Sequence, residues 1–481
     1  MNKYVLTFVS ASLLAIPVGC GDDGAGREDS GAGSGVSGET GSVTTLGGES
    51  DSDSNATANT DTDPTGDSDT DPTGDSDTDP TGDSDTDPTG DSDTDPTTTN
   101  GDEEGGDQKF DTLAIPDSAF NCGAPGSGGD FEFSFLWAAN SSQGTISKID
   151  TATVTEVGRF QVRPDGAGSP SRTSVSLSGH VAVASRNGGV TKIYADEQFC
   201  DDSNGTPGIQ TSADASYLPW GEEECVAWHT PMVYQSQRPV AWGLGQFNEG
   251  TCTWDDEELW TSGTNNNGTI DIFVLDGDDG STKEMIQVPT GGAGLQASFY
   301  GIYGAAVDGN GDMWGSQLGS SGKLIRVNRE DMTYDIWDTP NDASWYGMTV
   351  DEDGMVWLCR NYVARFDPET ESWTTASTGG YTGCMADIGE DGLLWQASSG
   401  VNSVIGVNRD TLQVEAMWPA GGAYGISIDF EGYVWAVANG STVSKIDPVT
   451  GQYWTYNGLV GAYTYSDMTG FALSSVGSPS G

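Results

Sequence analysis

The sequence predicts an all-β fold, a seven-bladed β-propeller with closure between N- and C-terminal strands, preceded by a disordered acidic linker. Three observations predict it. An apolar strand, an Asp-Gly turn and a Trp strand recur about every forty residues. A second hairpin follows each copy. An Asp/Thr/Pro/Gly repeat holding almost nothing that could form a core lies upstream.

The first motif reads "YGAAVDGNGDMW" from 303, "YGMTVDEDGMVW" from 346, "CMADIGEDGLLW" from 384 and "YGISIDFEGYVW" from 424, aligned without gaps. It places tryptophans at 314, 357, 395 and 435, spaced by 43, 38 and 40 residues. That period suits a four-stranded blade. The second hairpin turns at Asn328, Asp367, Asn408 or Asp447, whose side chains favour tight turns.

Weaker copies precede these. "ELWTSGTNNNGTIDIFVLDGDDGSTKEMIQV" from 258 follows "VAWGLG", read as an inner strand, and "SVSLSGHVAVASRNGGVTKIYAD" from 174 precedes a long insert. The earliest piece, from 135, supplies three outer strands. "MTGFALSSVG" from 468 is read as the missing inner strand, which would close the ring and remove its open edges.

The opening "MNKYVLTFVSASLLAIPVGCG" pairs a short apolar stretch with Gly-Cys. It reads as a lipoprotein signal peptide over 1–19, with Cys20 lipidated. Residues 20–107 form the linker, where "DSDTDPTG" occurs three times from 67, and 108–129 are a lead-in. Recurrent Pro and the missing EF-hand Gly and Glu make the linker a solvated spacer rather than a calcium array. The expected location is the bacterial cell envelope, lipid-anchored, at the outer membrane on its periplasmic or surface side. The lipid is the only expected membrane contact, and the body is expected to be a monomer.

The formal charge is −55, and residues 108–481 alone hold 47 acids against 16 bases. Nucleic acid is therefore excluded as a partner. Beyond Cys20 there are six cysteines, which allow fifteen pairings in a compartment where disulfides persist. Cys359 ends one blade's second strand and Cys384 begins the next blade's inner strand, so a disulfide between these two is expected; Cys200 with Cys225 and Cys122 with Cys252 are the pairs suggested for the rest, and the sequence leaves the connectivity open. No Cys/His cluster has zinc-ligand spacing.

The run of apolar strand, Asp-Gly turn, Trp strand and Lys/Arg-Ile/Val-x-Asp resembles the streptogramin B lyase (virginiamycin B lyase) family of seven-bladed propellers across residues 130–480. The resemblance implies lactone opening by elimination, with magnesium and with His and Glu side chains at the top of the ring. This chain departs from that pattern. Three residues beyond the blade tryptophans stand Asn140, Gly263, Gln317, Arg360, Ser398 and Ala438, with no Glu. The two histidines, His180 and His229, fall at opposite ends of a blade. No catalytic residue carries over, and no base or electrophile for elimination can be placed. Magnesium is implied only under the lyase alternative.

The blade tryptophans and Asp308, Asp351 and Asp429 read as packing and turn residues. The starts of the inner strands rim the channel, where propeller ligands enter. They supply the candidate ligand-binding set: Arg172, Trp242, Tyr303, Gln317, Tyr346, Arg360 and Tyr424. The expected function is a module that binds a small molecule, oligosaccharide, peptide or envelope protein without chemistry. In the alternative account of these same positions, Gly fits a narrow channel and Tyr caps the blades.

Overall fold

The computed structural model describes residues 134–248, 253–341 and 344–477. The readings on Cys20, the signal peptide, the linker, the lead-in segment, Cys122 and Cys252 lie outside them. Among the described residues the chain forms seven blades, one of three strands and six of four, with a small extra hairpin. All blade pairings are antiparallel and, apart from the inner pair of the third blade, where the small hairpin intervenes, between chain neighbours, so each blade is a meander running from channel to rim.

The inner strands of blades four, five and seven are Gly304–Val307, Gly347–Val350 and Gly425–Ile428, and each is fully or nearly buried. The end at which they start is called the top. At the bottom, the Oδ2 atoms of Asp308, Asp351 and Asp429 accept the indole N–H of Trp314, Trp357 and Trp435 at 2.9, 2.7 and 2.7 Å. Their Oδ1 atoms accept turn amides as well. One carboxylate thus satisfies both the turn and a buried indole, the structural role that the sequence suggests.

Blade six departs from the ungapped alignment. Trp395 pairs with Met385, whereas Trp357 pairs with Thr349, so this turn is two residues longer. The Trp395 indole N–H is buried without a partner. Cys384 consequently sits within its inner strand rather than in the Tyr346 position, which falls to Thr382.

The reading of blade three also needs correction. Its inner strand is Ser236–Trp242, and Trp260 pairs with Ala241 as Trp314 pairs with Ala306. Arg238 therefore occupies the position of Tyr303. Trp242 lies at the bottom end, 1% exposed, and cannot belong to the rim. Its Trp-Gly pair mimics the Tyr-Gly signal four residues too late.

The ring closes through the chain ends, although not as the sequence suggests. Trp137 donates its backbone N–H to the Met468 carbonyl at 2.9 Å, and Tyr463 donates to Ala139 at 3.1 Å. Between these bonds the pairing breaks: Ser466 adopts φ 104°, and Tyr465 bridges to Arg172. The residues read as the closing strand instead form the helix Phe471–Gly477, which buries Phe471, Leu473 and Val476. The Asp467 carboxylate accepts the N–H groups of Thr469, Gly470 and Leu473, which starts this helix in place of a strand.

Both predicted disulfides that fall among the described residues form. Cys359 and Cys384 staple blade five to blade six, with Cα atoms 6.0 Å apart, and Cys200–Cys225 ties the long insert of blade two, with Cα atoms 4.7 Å apart.

Candidate functional site at the channel mouth

The inner-strand starts bring Tyr303, Tyr346 and Tyr424 to the top of the channel. Tyr463 and Tyr465 join them from the closing segment, where alternation in "YTY" turns both rings to one side. The hydroxyls form a connected set: Tyr303 with Tyr463 at 2.8 Å, Tyr346 with Tyr463 at 2.5 Å, Tyr346 with Tyr424 at 2.7 Å and Tyr463 with Tyr465 at 3.3 Å. Ring centroids stand 5.0–6.3 Å apart, the separation of ordinary aromatic packing. The Tyr346 hydroxyl is held well above the usual phenol range, first by burial and then by neighbouring tyrosines.

This cluster fills the mouth. Below it, down to the helix Phe471–Gly477, cavities of only about 30 and about 10 Å³ are found. They have room for a water molecule at most. The glycines serve the same closeness: a Cβ on Gly347 would lie 2.5 Å from the Gly383 Cα, and one on Gly425 would strike the Thr464 carbonyl. The capping account of Tyr and Gly therefore describes the channel, and an open aromatic rim does not.

Arg172 is wholly buried beneath this lid. Its Nε and Nη2 donate to the Tyr303 carbonyl at 3.0 and 2.9 Å, and the guanidinium lies on the Tyr465 ring face and 4.6 Å from the Tyr303 centroid. Burial lowers its pKa to about 10, which the tyrosines oppose. Gln317 is not on the rim either. Its carbonyl accepts the Gln296 N–H at 2.8 Å, and its amide donates to the carbonyls of Gln296 and Gly301, so both ends are used in pinning the loop before Tyr303. Arg360 remains at the top. It donates to Ser344 Oγ at 2.6 Å and lies 5.6 Å from the exposed Tyr381 ring.

Two arginines that the sequence does not single out complete the mouth. Arg238 stands 4.6 Å from the Tyr300 centroid and 5.2 Å from that of Tyr303, while Arg186 stands 4.9 Å from that of Tyr463. Arg172, Arg186, Arg238 and Arg360 take no part in any salt bridge among the described residues, whereas arginines 159, 163, 326, 329, 365 and 409 all do. A concavity of about 1740 Å³ opens at the bottom between the Asp-Gly turns. Its Arg326 and Arg409 are held by Asp312 and Glu352 at 2.6 and 2.8 Å.

The histidines form no dyad. His180 is buried at the bottom, accepts the Ala195 N–H at 3.3 Å, and has its pKa lowered to about 3 by burial. His229, near the top, shares a 2.8 Å hydrogen bond with Thr191 Oγ1. Among the described residues no group of three or more His, Cys, Asp or Glu side chains is placed to hold a metal ion.

No family model matches the chain, and no curated protein does. Among solved structures it is similar to a protein of unknown function from Desulfotomaculum acetoxidans, with TM-score 0.45, 13% identity and coverage of 68% of this chain and 96% of that one. The WD40 β-propeller domain of Doa1 gives TM-score 0.41 and 12% identity over 62% and 86%. Hydrazine synthase from Kuenenia stuttgartiensis gives 0.44 and 11% over 68% and 93%. At such values these likenesses say nothing about activity.

Proposed function

We propose that the chain is an exported, lipid-anchored propeller that binds a ligand or an envelope partner on its top face and catalyses no reaction. One observation carries this reading: arginines without ion pairs stand beside exposed aromatic rings at the top, while the arginines elsewhere in the body are salt-bridged. Unpaired cations beside aromatic surface are recognition chemistry. The Gly-Cys20 signal and the two disulfides suit an exported setting. No observation favours the streptogramin lyase alternative, because His229 and His180 lie apart and, among the described residues, neither forms an ion pair with a carboxylate.

The test is a thermal-shift screen of the full chain against oligosaccharides, peptides and cyclic depsipeptides, with and without magnesium. The reading expects a metal-independent shift that is lost in Tyr300→Ala or Arg360→Ala. Turnover of a lactone, abolished by Arg360→Ala, would contradict it.

A further inference from the structure

Arg186 and Arg238 stand against two tyrosines of the lid that share a hydroxyl bond, Tyr463 and Tyr303. Arg186 holds only Ser169 Oγ, by Nε at 3.0 Å and Nη2 at 2.5 Å, and Arg238 holds Ser236 Oγ by Nε at 3.3 Å. Neither serine carries charge. Asp165, in the loop after the first blade, is already engaged by Arg163 at 2.7 Å. Beneath both, Arg172 adds a third charge with no carboxylate partner. Three guanidinium groups around one mouth repel each other, and a protein with a large acid excess leaves them uncompensated.

We propose that Arg186 and Arg238 form an anion site that seats one carboxylate of a sugar acid, whose ring rests against the exposed Phe299–Tyr300 pair. The proposal rests on the top-face binding reading and names its ligand class. A carboxylate suits the planar fork of a guanidinium. Phe299 and Tyr300 are half-exposed, their centroids 5.4 Å apart, and Tyr300 also faces Arg238, which is itself 7% exposed, so the exposed ring pair borders this cation. The acid excess of the body disfavours a long polyanion, since only charge seated within about 8 Å of the arginines escapes repulsion from the rest.

The test is calorimetric titration of the full chain with a linear galacturonate trisaccharide and with its methyl ester, which replaces each carboxylate charge by a neutral ester and adds only a methyl group. The expected result is binding of the acid, at least tenfold weaker binding of the ester, weakening by salt, and at least tenfold loss in Arg186→Gln and in Arg238→Gln. Arg186 is only half-buried, so its variant keeps the test open if Arg238→Gln fails to fold. Equal binding of acid and ester overturns the anion site and leaves the top-face reading intact. Failure of the acid to bind also overturns it, and the top-face reading then depends on its own screen.

Discussion

Tyr346 and Tyr463 share a 2.5 Å hydrogen bond between hydroxyls although 117 residues separate them. One comes from the start of an inner strand and the other from the segment that closes the ring. The same bond therefore caps the channel and ties down the chain end.

Removing a ring from this lid should loosen the closure as well as the mouth. Tyr465→Ala, at a side chain 3% exposed, is expected to cost about 3–5 kcal/mol by denaturant unfolding. Tyr463→Phe removes only the hydroxyl and should cost about 1 kcal/mol.

Asp351 accepts the Trp357 indole and two turn amides. Asp351→Ala strands these donors in a buried site and should cost about 1–3 kcal/mol, measured in the same way. An Asn at this position keeps one acceptor and should cost less.

Peptide mapping without reduction should recover Cys359 joined to Cys384 and Cys200 joined to Cys225. The Cys359→Ala/Cys384→Ala pair is expected to lower stability by about 2–4 kcal/mol.

Burial raises Asp467 from 3.8 to about 6. With the folded pKa above the unfolded one, the folded chain holds its proton more tightly, so this group's contribution to stability declines as pH rises from about 4 to about 6. Wild type minus Asp467→Asn should therefore become less favourable between pH 4.5 and 7, by up to about 2 kcal/mol in urea unfolding.

The blades were legible because Trp, Asp-Gly and the turn residues recur where packing and backbone geometry demand them. Of the two described disulfides, Cys359–Cys384 followed from strand ends placed by that repeat, whereas Cys200 and Cys225 lie in the insert that interrupts it. The register of blade three was not legible, since Trp242-Gly243 imitates the Tyr-Gly start while Arg238 holds the true position. The closing helix was hidden because a short apolar run reads equally as strand or helix, and only the buried Asp467 cap distinguishes them. Gln317 illustrates a further limit: its position at the top was correct, but its side chain turns inward to a loop. The "YTY" at 463–465 was the missed signal, an alternating pair of rings just before the expected terminal strand.

The measurement that tests the central claim most directly is amide hydrogen exchange on the full chain with and without saturating galacturonate trisaccharide. The account predicts slower exchange in 186–189, 296–303 and 461–466, the segments that surround the arginines and tyrosines of the mouth. Protection confined to the bottom turns at 308–312, 351–355 and 387–392, or no protection anywhere, would contradict it.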